Sequence, residues 1–157
     1  AHEDLIEYLE SEDIYWEENK NILKSMVRKS IKDAESNTLL KISQNWDDDK
    51  DFFKKLFNET LINDDNLNEL ITKHSKNWKK DRLALTDVII LKMGVTEMLN
   101  FPSIPVKVSI NEYIEVSKTY STPKSKQFIN GLLDKFADVL QSEGKIKKSG
   151  RGLIDNK

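Results

Sequence analysis

No cysteine occurs in the 157 residues. That absence removes disulfide bridges, thiol nucleophiles and zinc–thiolate sites together, and it agrees with a reducing compartment. Glycine and proline are scarce, at five and three residues, which favours long helices over a turn-rich β-protein. No apolar run approaches the length needed to cross a bilayer, so no membrane association is expected. The opening residues, Ala1-His2-Glu3-Asp4, are acidic where a secretory signal would be basic, and a cytoplasmic location is expected. Catalytic motifs are missing as well. There is no Gly-rich phosphate loop, no His/Cys cluster at metal-ligand spacing and no supportable Ser-His-Asp set. His74 has no second ligand three or four residues away, so it reads as a packed or surface histidine. Glu112 and Glu115 lie three apart on a helix and read as a cap and a solvated residue rather than an acid–base pair. The chain is therefore read as non-enzymatic, with no cofactor and no metal.

What is present is a chain with 38% hydrophobic and 33% charged residues and a formal net charge of −2. That is enough apolar material for one domain with a core, and too little positive charge for a surface that binds nucleic acid all over. The charge is unevenly spread. Between Ala1 and Glu18 there is no lysine or arginine, whereas Lys118, Lys124, Lys126, Lys135, Lys145, Lys147, Lys148 and Arg151 gather in the last third. Any RNA contact is expected there.

Helical periodicity recurs along the chain. Residues 1–16 read as an acidic leader or linker, in which a short helix is possible and Ile14, Tyr15 and Trp16 form an anchor. Residues 17–144 read as the helical domain, and 145–157 as a basic, mobile tail. A helix over 17–35 would carry Ile22, Leu23, Met26, Val27, Ile31 and Ala34 on one side, with Lys24, Arg28, Lys29 and Lys32 on a solvated face. Leu39, Leu40 and Ile42 form a brief apolar patch. Asp47-Asp48-Asp49 then supplies N-terminal carboxylates to a helix carrying Phe52, Phe53, Leu56, Phe57, Thr60 and Leu61. The triplet lacks the glycine and closing glutamate of a calcium loop. Another helix is expected over 65–77. The segment 86–100 is apolar around almost its whole circumference and belongs in the middle of the bundle. No alternating strand pattern competes, so the fold class is all-α, a compact helical bundle.

The stretch from Ile104 to Leu140 is the most informative. Pro105 suits a first helical turn, and Ser109-Ile110-Asn111-Glu112 has the spacing of a capping box. Ile110, Tyr113, Ile114 and Ser117 form one buried stripe. Pro123 breaks the helix, and a second stripe follows at Phe128, Ile129, Leu132, Leu133, Phe136, Val139 and Leu140. Gly144 is placed to end it. Gly131 would permit close helix approach, and Asn130 would bond a neighbouring backbone.

These residues resemble a known family. Ile104-Pro105, Ile110-Asn111-Glu112, Lys118-x-Tyr120 and Phe128-Ile129-Asn130-Gly131-Leu132-Leu133-Asp134 match, in order and spacing, the signature of the NusB family. Trp78, Asp81-Arg82, Asp87 and Ile90-Leu91-Lys92 resemble its preceding helix. The resemblance covers about 47–140 and implies a NusB-like bundle acting as a transcription antitermination and ribosomal RNA processing factor. The partners it implies are the ribosomal protein NusE, boxA RNA and the RNA polymerase antitermination complex, with a role in ribosome biogenesis. The loop entering the last helix is implied to contact RNA, which places Lys124, Ser125, Lys126 and Phe128 there, with Lys118 nearby. Lysines would neutralise phosphates, and Phe128 would either stack on a base or belong to the core. The family's arginine-rich first helix has no counterpart here. It is expected upstream of Ala1, so these residues alone are expected to bind boxA RNA poorly. Two alternatives are a helical protein-interaction module with little RNA binding and the RNA-recruiting domain of a ribosomal RNA methyltransferase.

Overall fold

In the computed structural model, residues 3–13, 15–32, 43, 45–75 and 84–154 are described. Among them are seven α-helices, α1 (Glu3–Glu12), α2 (Trp16–Lys32), α3 (Trp46–Ile62), α4 (Asp64–His74), α5 (Leu85–Asn100), α6 (Val106–Tyr120) and α7 (Ser125–Ser142), and a 3-10 helix, Gly150–Leu153. No strand occurs among the described residues. The all-α expectation is borne out. Ile14, Ala34, the Leu39–Leu40–Ile42 patch and the Trp78, Asp81 and Arg82 positions lie outside the described residues.

The chain forms two compact units, Ala1–Trp46 and Asp47–Lys157. In the first, α1 packs against α2. Asp13 joins them: its carboxylate accepts the Tyr15 amide at 2.9 Å and its carbonyl accepts the Trp16 amide at 2.9 Å, satisfying donors at the start of α2. The apolar residues expected on one side of α2 are there. Ile22, Leu23, Val27 and Ile31 are exposed, Met26 and Trp16 are half-buried, and α2 has no buried residue. Periodicity specifies which side of a helix is apolar; it does not supply the surface that covers it.

The second unit holds the core. Leu67 and Ile71 of α4, Ile90, Leu91, Val95 and Met98 of α5, Val106, Ile110 and Tyr113 of α6, and seven residues of α7 from Phe128 to Leu140 form one cluster. Helix α5 packs against α4, α6 and α7, the central place its composition implies. Helix α3 contributes less: Leu56 is its one buried residue, while Phe53 and Phe57 stack on each other 6.0 Å apart and remain exposed. It is tied to the end of α5 by Lys55, which donates to the Asn100 carbonyl at 2.7 Å and sits 4.9 Å from the centre of the Phe101 ring.

Both expected stripes of α6 and α7 face the core, with Ile114 and Val139 half-buried at their edges. Three local expectations are corrected. Helix α6 begins at Val106 after Pro105 in extended backbone, so Ser109 lies inside the helix, fully buried, and caps nothing. Gly131 is not the close-packing glycine, because a Cβ there would meet nothing within 4 Å. That role belongs to Gly94 on α5, where a Cβ would stand 2.9 Å from Leu133 Cδ2 and 3.3 Å from Tyr113 Cδ2.

The third correction concerns the segment after α7. Gly144, at φ 66°, ends the helix in the left-handed conformation glycine tolerates, and the Lys145 amide then donates back to Leu140 at 2.9 Å. The following residues form a seated strap rather than the expected mobile tail. Ile146 packs on the core, Lys148 Nζ donates to the Phe101 carbonyl at 3.0 Å, and the Ser149 amide donates to Pro102 at 2.9 Å. Gly152 lies so close that a Cβ would fall 2.0 Å from the Pro102 carbonyl oxygen.

Two outcomes are expected from this packing. Gly94→Ala should lower the urea unfolding free energy by about 1–3 kcal/mol through overpacking, whereas Gly131→Ala, in open space on a helix, should raise it by roughly 0.5–1 kcal/mol. Gly152→Ala should detach the strap, read as faster amide hydrogen exchange at Ser149 with the exchange of α5 and α7 unchanged.

Candidate nucleic-acid interface

The sequence places its candidate residues around the bend between α6 and α7, and the bend is built by local chemistry. Helix α6 ends at Tyr120, and Ser121 turns into extended backbone at φ −131°, ψ 178° while its amide still donates to Ser117. Pro123 then fixes one φ angle and cannot continue a helix. The Ser125 amide donates to the Thr122 carbonyl at 2.9 Å, and the Thr122 and Ser125 hydroxyls lie 2.8 Å apart. Lys124 occupies the N-cap position of α7 in helical backbone, with no side-chain cap.

Lys124 and Lys126 are exposed and Ser125 is half-buried. Neither lysine makes an ion pair among the described residues. Lys118, in the last turn of α6, is exposed and pairs with Glu115. Phe128 does not join this group. The residue is 7% exposed and belongs to the core cluster, beneath the first turn of α7. The bend thus brings together Lys118, Lys124, Ser125 and Lys126, and Phe128 lies beneath them.

The electrostatics are unusual for a helix start. The first turn of α7 has no acidic residue, although carboxylates are the groups a helix N-terminus favours. Lys124 and Lys126 add positive charge to the positive end of the dipole. This costs roughly 0.3–1 kcal/mol per charge in the isolated fold, and a bound anion relieves it. Two exposed ammonium groups at the positive end of the α7 dipole make a surface suited to phosphate.

Two buried polar pairs hold the helices that carry this bend. Asp87, in the first turn of α5 and 3% exposed, accepts a hydrogen bond from the Ser121 hydroxyl. Glu97, further along α5, accepts a hydrogen bond from the Tyr113 hydroxyl of α6 at 3.0 Å. Burial, followed by the Glu97 charge, pushes the Tyr113 phenol well above its ordinary value, so it remains a donor. Burial lowers the Lys148 ammonium, against the opposing attraction of Glu97. Sequence reading missed the Glu97–Tyr113 pair. Its signal was a lone glutamate in the most apolar helix, opposite a tyrosine already assigned to the buried stripe. The histidine reading fits: His74 is half-buried, its ring edge-on to Phe136 at 6.1 Å.

A model of the NusB family matches residues 14–138. The chain belongs to the NusB family. Among its relatives, the transcription antitermination protein NusB of Salinibacter ruber is 45% identical over 105 residues, 67% of this chain and 66% of the relative. The protein of the same name from Chloroherpeton thalassium is 43% identical over 106 residues, 68% of this chain and 50% of the relative. That of Bacillus licheniformis is 35% identical over 119 residues, 76% of this chain and 92% of the relative. The chain therefore spans about two thirds and one half of the length of the first two. Among solved structures, T. maritima NusB superposes with a TM-score of 0.54 at 31% identity, covering 57% of this chain and 63% of that one. These relatives are named as antitermination proteins, not as enzymes. Among the described residues no helix is long and apolar enough to cross a membrane.

The Glu97–Tyr113 bond gives a test of how the NusB bundle holds α6. Tyr113→Phe leaves a buried carboxylate without its donor and should cost about 1–3 kcal/mol, measured by chemical denaturation, with far-UV circular dichroism unchanged.

Proposed function

We propose that this chain acts as a non-enzymatic transcription antitermination factor that holds boxA RNA jointly with NusE within an RNA polymerase antitermination complex, and so supports ribosomal RNA processing. The antitermination role is supported by family membership and by the names of three relatives. The RNA role rests on one observation above the others: two exposed lysines, Lys124 and Lys126, with no ion pair among the described residues, at the start of α7, where Lys124 gives no side-chain cap. Positive charge in that place opposes the helix and is offset only by an anion from outside. In this reading Lys124 and Lys126 contact phosphates, Ser125 contributes a hydroxyl, and Lys118 exchanges Glu115 for RNA. Phe128 supports the bend from below.

The expected signature is electrostatic. With NusE present, fluorescence anisotropy of labelled boxA RNA should show Lys124→Ala/Lys126→Ala weakening binding. The slope of log affinity against log salt should become shallower by about one to two, as two phosphate contacts on single-stranded RNA are lost. Unchanged affinity and slope would remove the bend from the RNA interface. Pull-down of NusE by the same variant should match wild type. Failure of the wild-type chain to retain NusE would favour the protein-interaction module without an RNA role.

A further inference from the structure

Asp87 is a carboxylate removed from water to 3% exposure. Burial of that kind is costly unless the charge is hydrogen-bonded or otherwise compensated. Its place in the first turn of α5 supplies part of the compensation through the helix dipole. The rest of its geometry points elsewhere. The Asp87 Oδ1 atom accepts a hydrogen bond from the hydroxyl of Ser121, a residue 34 positions later in the chain. Ser121 is the residue where α6 stops and the bend begins.

Ser121 is therefore held twice. Its amide donates to Ser117 of α6 at 3.0 Å, and Ser117 is itself fully buried. Its side chain is bound to α5 through Asp87. At the other end of the bend the Ser125 amide is bonded to Thr122 at 2.9 Å, and Phe128 locks the first turn of α7 into the core. Between these fixed points stand only Thr122, Pro123 and Lys124, and the proline removes one of the remaining torsions. Lys124 cannot shift unless the Ser121 end is released, and Lys126 follows immediately on the helix that the bend delivers. A carboxylate on one helix thus determines the place of two ammonium groups at the head of another.

We propose that Asp87 is a positioning residue for the bend between α6 and α7, and that through Ser121 it sets where Lys124 and Lys126 meet an RNA backbone. The second half of this statement rests on the RNA reading given above; the first half stands on the hydrogen bonds alone. Asp87 touches no RNA in this scheme. Its effect is transmitted by Ser121, whose loss removes one hydroxyl from a half-buried site and leaves the core packing of α5, α6 and α7 in place.

The test uses Ser121→Ala, with Ser121→Thr as the conservative variant that keeps the hydroxyl and Asp87→Asn as the partner change. In the uncomplexed protein, Ser121→Ala should shift the NMR amide signals of Thr122 to Lys126 and lower their heteronuclear NOEs, with signals of α5 away from Asp87 unmoved. With NusE present, the same variant should weaken boxA RNA binding about three- to tenfold, the scale of one ordinary net hydrogen bond. Ser121→Thr should restore both readouts. In the Lys124→Ala/Lys126→Ala background, Ser121→Ala should weaken binding no further, because the two changes act through the same contact. Asp87→Asn should reproduce the pattern; should that variant fail to fold, the serine variants decide the matter. Amide signals and NOEs of the bend that match wild type in Ser121→Ala would overturn the positioning role. A loosened bend with wild-type RNA affinity, in a protein whose Lys124→Ala/Lys126→Ala form binds weakly, would overturn the link to RNA. If the lysine variant itself binds RNA like wild type, the RNA reading of the bend falls, and the NMR result alone then upholds or rejects Asp87 as the residue that fixes it.

Discussion

The second unit depends on how closely α6 and α7 approach α5, and that distance is set where a side chain is missing. At Gly94 the ring of Tyr113 and the tip of Leu133 occupy the space a Cβ would need. With both neighbours that close, the Tyr113 hydroxyl reaches Glu97 one helical turn along α5. A buried carboxylate and a buried phenol are each costly alone. Together they are satisfied, and they fix the register of α6 against α5 more tightly than apolar packing would, because a hydrogen bond tolerates little sliding. The core around them, from Ile90 to Leu140, is close-packed and permissive by comparison.

Register at that point has effects at the far end of α6. Tyr113 lies midway along the helix, and the residues after it carry the chain to Ser117 and Ser121, where Asp87 makes the second polar link to α5. Helix α6 is thus pinned to α5 near its middle and just past its end, and the bend leaves from the second pin. The lysines that follow stand where the helix dipole opposes them. A fold optimised only for stability would place an acidic cap at the start of α7. Placing ammonium groups there sacrifices a little stability and leaves a field that attracts anions.

Much of the second unit was legible in the sequence, and the limits have physical causes. The stripes of α6 and α7 follow from spacing alone, since a period of 3.6 residues puts Ile110 with Tyr113 and Ile129 with Leu133 on common faces. The central place of α5 follows from its apolar circumference. The bend and its lysines are visible because Pro123 interrupts the period and the charges flank it. Other features involve partners distant in the chain, and no local pattern encodes them. Gly94 and Gly131 look alike in sequence; only the neighbours across the interface show that one is crowded and the other open. Ser109 fits a capping box by spacing, yet Pro105 allows the helix to begin earlier and leaves the serine inside. Phe128 beside a lysine-rich loop could face either way, and the core claimed it. The apolar side of α2 was legible from spacing and its exposure was not, because burial is a property of two surfaces.

The strap after α7 is held first by the Ile146 and Lys148 side chains and then through main-chain atoms: the Ser149 amide on the Pro102 carbonyl, and the Gly152 backbone pressed against the same group. Main-chain attachment is nearly blind to side-chain identity, so apart from Ile146, Lys148 and Gly152 the residues of the strap are not what seats it. Lys147 and Arg151 consequently project from an anchored ribbon without being part of what anchors it. Their charges can be added, removed or reversed with little consequence for folding, which makes this ribbon a place where surface potential can be adjusted independently of the bundle beneath.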